Sequence, residues 1–254
     1  GIRQHYLRYG GKGHALILVP GITSPAITWG FVAERLGAQF DTYVLDVRGR
    51  GLSSTGPELD YSADTCAEDI GAFADALNLS SYHLVGHSMG ARFAVRSAVK
   101  HPNGVNRVVL IDPPVSGPGR REYPSKLPWY VDSIRQSLVG MDAEAMRAFC
   151  ATWTPAQLQL RAEWLHTCQY TAIKTAYDGF HTDDIHADLP QITLPEARLD
   201  LWEEIAPAMF RNDPRQALDL LEKDVPRAAH RAAAADEIFG RGVLQRTQDC
   251  LRTG

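Results

Sequence analysis

The stretch Gly86-His-Ser-Met-Gly90 decides the fold prediction, because of what lies on either side of it. Residues 81–85 before it form an apolar run of strand length, and residues 91–100 after it carry apolar side chains at helical spacing. A serine in a tight turn between strand and helix is presented at the edge of a sheet, and the flanking glycines let the two elements approach closely. The pattern therefore predicts a nucleophile elbow with Ser88 as the nucleophile, against the alternative of an incidental turn serine.

Apolar runs and helical patterns alternate over the first 115 residues. Residues 15–19, 42–46 and 107–112 have the length and composition of buried strands, as do residues 81–85. Such alternation is typical of parallel strands joined by crossover helices. The sequence therefore predicts an α/β fold with a mostly parallel, doubly wound sheet.

The second half of the chain has a different pattern. Residues 115–189 show Pro- and Gly-punctuated helical stretches rich in Trp and Tyr, which predicts a helical cap inserted above the sheet. The domain prediction is an α/β core of residues 1–114 and about 190–254, with the cap at about 115–189. Residues 196–210 and 215–223 have helical patterns, and no closing strand is predicted after residue 190.

Composition limits the function classes. The 254 residues are 44% hydrophobic and carry a net charge of −4, so we expect a globular protein that does not bind nucleic acid. The apolar runs are far shorter than the roughly 18 residues of a membrane span, and the first residues lack a signal peptide's features, although the chain does not begin with Met. We expect a cytoplasmic protein without membrane association. Four scattered cysteines have no metal-binding spacing, so we predict free thiols and no metal site.

A serine nucleophile needs donors for the oxyanion that forms on the attacked carbonyl group. The usual donors are the amide after the nucleophile and one in the loop after an early strand. Here these are the amides of Met89 and Ile22. The alternative makes residues 20–21 a simple turn.

The acid and base of a triad should follow the serine in the order Asp, then His. Asp112 ends the fourth predicted strand and is the candidate acid, with an Asx turn before Pro113 as the alternative. Four histidines follow it, at positions 166, 181, 186 and 230. His230 is the candidate base because the other three lie in the predicted cap, although its alanine-rich surroundings also suit an exposed helix.

Three residues are candidates for binding a substrate. Arg48 and Arg92 offer guanidinium groups for a carboxylate, and Trp129 offers an aromatic wall for a pocket. The structural alternatives are surface charges and a core aromatic. Residues 46–51, which read DVRGRG, are interpreted as a structural turn after a strand, since they lack the ending of a phosphate-binding loop.

The elbow, the strand-end aspartate and the insertion together resemble the α/β-hydrolase superfamily and, within it, the N-formylmaleamate deformylase family. The segments that carry the resemblance read VPGITSPAITW at 19–29, LDVRGRGLS at 45–53, GHSMGAR at 86–92, DPPVSGPGR at 112–120, YPSKLPWYVD at 123–132 and RAEWLHT at 161–167. The resemblance implies cofactor-free hydrolysis of a small anionic formyl amide through a formyl-enzyme, with Ser88 and Asp112 in the triad. It implies nothing about oligomeric state.

The similarity ends near Pro195. The family continues with two strands and a Gly-His before an apolar-Pro-Trp segment, whereas here Ala229-His230 is followed by Arg231 and alanines. His230 nevertheless lies at nearly the family's distance from Pro195, which favours it as the base. Two alternatives stay open: a carboxylesterase or other acylamide hydrolase, and a hydrolase-fold ligand binder whose altered tail has lost the base.

Overall fold

The computed structural model describes residues 1–192 and 199–202. Its sheet has six strands in the order β1-β3-β2-β4-β5-β6. β1 is antiparallel to β3, and the other neighbouring pairs are parallel. The mostly parallel sheet is confirmed, and the four predicted strands begin and end within two residues of β2, β3, β4 and β5. The bounds are β1 Tyr6–Tyr9, β2 Ala15–Val19, β3 Asp41–Leu45, β4 Tyr82–His87, β5 Val105–Ile111 and β6 Leu199–Trp202.

Helices connect the first strands and fill the chain after β5. Those between the strands are α1 Gly30–Leu36, α2 Ala63–Ala76 and α3 Met89–Lys100. Those after β5 are α4 Leu127–Leu138, α5 Ala143–Met146, α6 Pro155–Trp164 and α7 Tyr170–Thr182, called the cap helices below. Short 3₁₀ helices occur at Ala26–Trp29, Leu165–Thr167, Ile185–Ala187 and Leu189–Gln191. Within the described part of the chain, no helix combines the length and the apolar character that crossing a membrane requires.

The core forms around the central strands. Leu18 of β2 and Leu84 of β4 are fully buried, as are Ala94 and Val95 of α3. Parallel strands covered by helices on both faces are apolar along their whole length, which explains the uninterrupted runs in the sequence. Burying one leucine of this kind contributes about 1.5–3 kcal/mol, and these strands hold the carboxyl edge of the sheet rigid.

The strand β6 corrects the sequence prediction. A helix was expected over residues 196–210 and no closing strand, yet Leu199–Trp202 is a strand. It pairs in parallel with β5 in a register that runs from Val108 opposite Leu199 to Ile111 opposite Trp202. The hydrogen bonds of so short a strand come from a neighbour about 90 residues away, which local periodicity does not register. The rest of that predicted helix and the one at 215–223 lie outside the described residues.

The cap helices are tied to the loops that follow β2 and β3. The amide of Gln169 donates to the carbonyl of Gly49 at 2.8 Å. The guanidinium of Arg161 in α6 donates to the carbonyl of Thr23 at 2.9 Å. Because these loops leave the carboxyl ends of the strands, the cap helices lie over the edge where open α/β sheets carry their functional groups. The proposed division into core and cap domains stays a prediction.

Three cysteines lie in the described residues, and all are free thiols. Burial raises the pKa of Cys66 to about 12 and that of Cys168 to about 11. Cys150 is half-buried, and its thiol pKa is also raised by burial. The thiols therefore stay protonated and unreactive near neutral pH. Cys250 lies outside the described residues.

Candidate active site

Ser88 occupies a sharp turn between β4 and α3. Its backbone has φ 51° and ψ −118°, a conformation that costs a non-glycine residue about 1–3 kcal/mol. Two hydrogen bonds hold the turn: the Ser88 amide donates to the carbonyl of Ile111 at 2.8 Å, and the Ala91 amide donates to the carbonyl of Ser88 at 3.0 Å. This is the strand–turn–helix geometry that the sequence predicted, and it is the geometry of a nucleophile elbow.

The glycines on either side of Ser88 are required by close packing of backbone. A Cβ atom on Gly90 would lie 2.0 Å from the carbonyl oxygen of Val19 and 2.5 Å from that of Pro20. A Cβ atom on Gly86 would lie 2.4 Å from the carbonyl oxygen of Gly90. Backbone atoms of a central strand cannot move aside as a flexible side chain can. The turn therefore depends on glycine at both positions.

We expect Gly90→Ala to destabilise the protein by about 3 kcal/mol, because the added methyl group forces α3 away from β2. Urea unfolding followed by circular dichroism measures this effect. Gly179→Ala in α7 is the matched control, since its Cβ would meet only the flexible carboxylate of Asp183 at 3.3 Å. Alanine is the better helix former, so the control is expected to keep or slightly raise stability. A wild-type unfolding midpoint for Gly90→Ala would contradict the packing argument.

The loop after β2 passes beside Ser88. A Cβ atom built on Gly21 would lie 3.6 Å from the Cβ of Ser88, so the neighbouring Ile22 is close to the elbow. Ile22 and Met89 are both buried. Met89 is the first residue of α3, and amides in the first turn of a helix have no acceptor within it and favour negative charge. The structure thus brings together the two loops predicted to supply the oxyanion donors, whose role stays a prediction.

Arg50 is a buried residue of this region that the sequence interpretation missed. Its Nε donates to the carbonyl of Ile22 at 2.8 Å, and its Nη1 donates to the carbonyl of Arg48 at 2.8 Å. Its Nη2 contacts the Sδ of Met89 at 3.1 Å and the carbonyl of Ala172 at 3.3 Å. The sequence feature that could have identified it is an arginine between two glycines, Gly49 and Gly51, in the loop after a buried strand. The residues were interpreted only as a turn.

Asp112 follows β5 and lies on the strand beside the elbow. His87 is opposite Ile111 in the β4–β5 register, so Asp112 comes next to Ser88 along the sheet edge. Its φ of 46° turns the chain away from the strand. The side chain reaches solvent, yet the protein around its carboxyl group raises its pKa by desolvation, an effect that Arg121 opposes. Among the described residues nothing donates a hydrogen bond to this carboxylate, so they do not form the alternative Asx turn.

The two candidate arginines for a substrate carboxylate both have acceptors within the protein. Arg48 is buried and donates from Nε and Nη2 to the Asp69 carboxylate at 2.5 and 2.6 Å. Arg92 is also buried, and its guanidinium donates to four backbone carbonyls, those of Pro114, Ser116, Gly179 and Asp183. Their donors are used by the protein itself, because desolvated guanidinium groups need acceptors. These contacts support a structural role for both arginines, and binding of a substrate carboxylate by either stays a prediction.

The structure gives less information on the remaining candidates, Trp129 and His230. Trp129 of α4 is 39% exposed and packs edge-on against Tyr130 and Phe149, so its place in a pocket stays a prediction. His230 lies outside the described residues. Over residues 1–192 and 199–202, no group of three or more His, Cys, Asp or Glu side chains is arranged to hold a metal ion.

Comparison with known proteins adds to this geometry. Residues 14–179 match the family model for the alpha/beta hydrolase fold. The chain is 74% identical over 195 residues to N-formylmaleamate deformylase of Pseudomonas putida, covering 77% of this chain and 73% of that protein. It is 40% identical over 106 residues to 2-(acetamidomethylene)succinate hydrolase of Mesorhizobium japonicum, covering 42% of this chain and 38% of that protein.

A solved structure gives the same result for the fold. The crystal structure of N-formylmaleamic acid deformylase from Pseudomonas putida S16 superposes with a TM-score of 0.75 at 54% identity. The superposition covers 84% of this chain and 86% of that one. The family match, the identity over most of the chain and the elbow at Ser88 agree. The chain belongs to the alpha/beta hydrolase family.

Proposed function

We propose that this protein is a serine hydrolase that cleaves the formyl amide of N-formylmaleamate to formate and maleamate without a cofactor. The observation that carries the proposal is the 74% identity to a deformylase of that name over 195 residues. The strained turn at Ser88 supports the choice of nucleophile. We further propose that residues of about 115–189 act as a cap that closes the site over a small anionic amide.

The proposed reaction begins when the Ser88 oxygen attacks the formyl carbon and His230 accepts the hydroxyl proton. The oxygen of the formyl group becomes an alkoxide, which the amides of Ile22 and Met89 stabilise. The bond to nitrogen then breaks, and His230 returns the proton to the departing maleamate. Because that nitrogen is also bonded to a second carbonyl group, its electron pair is delocalised and it leaves more readily than a simple amine.

The second half of the reaction hydrolyses the formyl-enzyme. A water molecule replaces maleamate, gives a proton to His230 and attacks the formyl carbon bonded to Ser88. The new alkoxide collapses, formate leaves, and His230 returns the proton to the serine oxygen. Asp112 holds the imidazole in the required tautomer and stabilises its charged form. The positively charged histidine would also lower the pKa of Asp112, which desolvation otherwise raises.

A second candidate within the same class is another acylamide hydrolase. The 40% identity to 2-(acetamidomethylene)succinate hydrolase favours it, since that name describes cleavage of an acetamide. The two candidates differ in the size of the acyl group that must fit beside Ser88. A catalytically impaired hydrolase-fold protein that only binds such ligands is the third candidate.

The test is an incubation of the purified protein with N-formylmaleamate, in which formate and maleamate are quantified together. Equimolar release at a rate well above the enzyme-free control supports the proposal. N-acetylmaleamate in a parallel reaction separates the first two candidates, because an acylamide hydrolase with a larger acyl pocket would release acetate as readily as formate. Failure of a folded sample to release either acid, with ligand binding intact, would favour the third.

Asp112→Asn tests the triad acid. We expect kcat to fall by about 10⁴, because an asparagine favours the wrong imidazole tautomer and gives no charge to stabilise imidazolium. Formate release under saturating substrate measures kcat, and thermal unfolding checks that the neutral isostere folds. Asp132→Asn, on the exposed face of α4, is the matched control and should leave kcat within about twofold. A fall of less than tenfold in Asp112→Asn would remove Asp112 from the triad.

A further inference from the structure

Arg50 contacts both residues that are proposed to form the oxyanion hole. Its Nε donates to the Ile22 carbonyl at 2.8 Å, and its Nη2 lies 3.1 Å from the Met89 sulfur. Ile22 comes from the loop after β2 and Met89 from the first turn of α3. The guanidinium therefore contacts both segments whose relative position sets the spacing of the two amides.

Arg50 is deeply buried, and the groups that surround its positive charge are neutral. The residue is 1% exposed, and no carboxylate of the described residues lies within 4.0 Å of its guanidinium. Its partners are neutral: three backbone carbonyls and a thioether sulfur. Burial lowers the pKa of Arg50, but a guanidinium starts so high that it stays protonated. A buried cation without an anionic partner is costly, and it is best compensated where negative charge develops during a reaction.

A second guanidinium, that of Arg161, contacts the same loop. Arg161 of α6 donates to the Thr23 carbonyl at 2.9 Å and to its hydroxyl oxygen at 2.8 Å. Arg50 itself also reaches the cap helices, because its Nη2 lies 3.3 Å from the carbonyl of Ala172. The loop after β2 is thus held between the sheet and the cap helices by two guanidinium groups.

We propose that Arg50 is a positioning residue of the oxyanion hole: it fixes the Ile22 peptide relative to Met89 and places a positive charge behind the forming alkoxide. This inference rests on one part of the proposed function, the attack by Ser88 on a carbonyl carbon. It does not require that the substrate be a formyl amide. An interaction that strengthens as the alkoxide forms affects kcat and leaves KM nearly unchanged.

Two variants and two assays test the proposal. Arg50→Met removes the charge and the donors at similar volume, and we expect a roughly hundredfold loss of kcat for formate release, the effect of losing one oxyanion donor. Arg50→Lys keeps a positive charge but has a single donor nitrogen, and we expect a loss of about tenfold. The second assay is the rate at which a fluorophosphonate labels Ser88, followed by intact-protein mass. It should fall in parallel, because the phosphoryl oxygen gains charge in the same position.

Controls separate positioning from folding. Arg96→Lys, on the same helix as Met89, alters ion pairs to Asp64 and Asp188 away from the proposed site and should label within about twofold of wild type. Rates are expressed per folded molecule, with thermal unfolding measured for each variant. A purely structural role lowers the melting temperature but leaves the labelling rate unchanged, and that result overturns the proposal.

The remaining outcomes are also decisive. If Arg50→Met does not fold, Arg50→Lys carries the test, and labelling of that variant at the wild-type rate overturns the proposal. If the wild type is labelled at Ser88 but releases no formate, the proposed substrate is wrong, while the labelling rates of the variants still decide the role of Arg50.

Discussion

Ser88→Ala is expected to lower kcat for formate release by about 10⁶, the loss seen when the nucleophile of a serine triad is removed. Without the side-chain oxygen no formyl-enzyme forms, and what remains is the small rate enhancement from substrate binding and the oxyanion donors. The fold should survive, because the hydrogen bonds that hold the turn are made by the backbone of Ser88. Alanine also tolerates the φ of 51° about as well as serine does.

The measurement is the simultaneous quantification of formate and maleamate at saturating substrate, with wild type and variant at matched folded concentration. Ser97→Ala is the control serine in α3, since its hydroxyl is buried and makes no hydrogen bond in the structure. Its removal should leave kcat unchanged and keep or raise stability. If Ser88→Ala retained more than about a hundredth of the wild-type rate, another nucleophile or a directly activated water would have to be sought.

His230→Ala should also reduce kcat by about 10⁶, because the serine of a triad is a weak nucleophile without its base. The same residue is proposed to protonate the departing nitrogen and to activate water, so both halves of the reaction slow. Pre-steady-state mixing distinguishes them: a loss of the maleamate burst means that acylation is limiting. The result matters because the resemblance to the family ends near Pro195, before this histidine.

His166→Ala is the matched control for His230. It removes an exposed imidazole of the 3₁₀ helix Leu165–Thr167, which follows α6, and kcat should stay within about twofold of wild type. If His230→Ala were as active as the control, His230 would not be the base, and the remaining histidines after Asp112 would be substituted in turn. If the wild type released no formate and a fluorophosphonate also failed to label its Ser88, the result would favour loss of the base in the altered tail.

Local pattern was sufficient where an element depends on its own residues. Gly86 and Gly90 predict the elbow because the close approach of strand and helix requires residues without side chains. In the structure, backbone oxygen atoms lie 2.0–2.4 Å from where their Cβ atoms would be. The buried strands were equally predictable, since a strand that is covered on both faces is apolar along its whole length. The position of Asp112 beside the elbow was predictable for a related reason: parallel strands end at a common edge.

Pattern failed where partners distant in the chain decide the outcome. Leu199–Trp202 is a strand because β5 offers it hydrogen bonds, not because its sequence excludes a helix. Arg48 and Arg50 are two residues apart and identical in type, yet one is paired with Asp69 and the other has neutral partners at the proposed oxyanion loop. Arg92 looked available for a substrate, and four carbonyls from the chain after β5 use its donors.

Residues adjacent along the chain were enough to predict the α/β class, the central strands, the elbow at Ser88 and the resemblance to a deformylase family. The partners of the arginines became known from the folded chain alone, in which Arg48 pairs with Asp69 and Arg50 contacts Ile22 and Met89. The physical reason is that a guanidinium's role depends on which acceptors surround it after burial, and those acceptors come from Asp69, the loop after β2 and the cap helices.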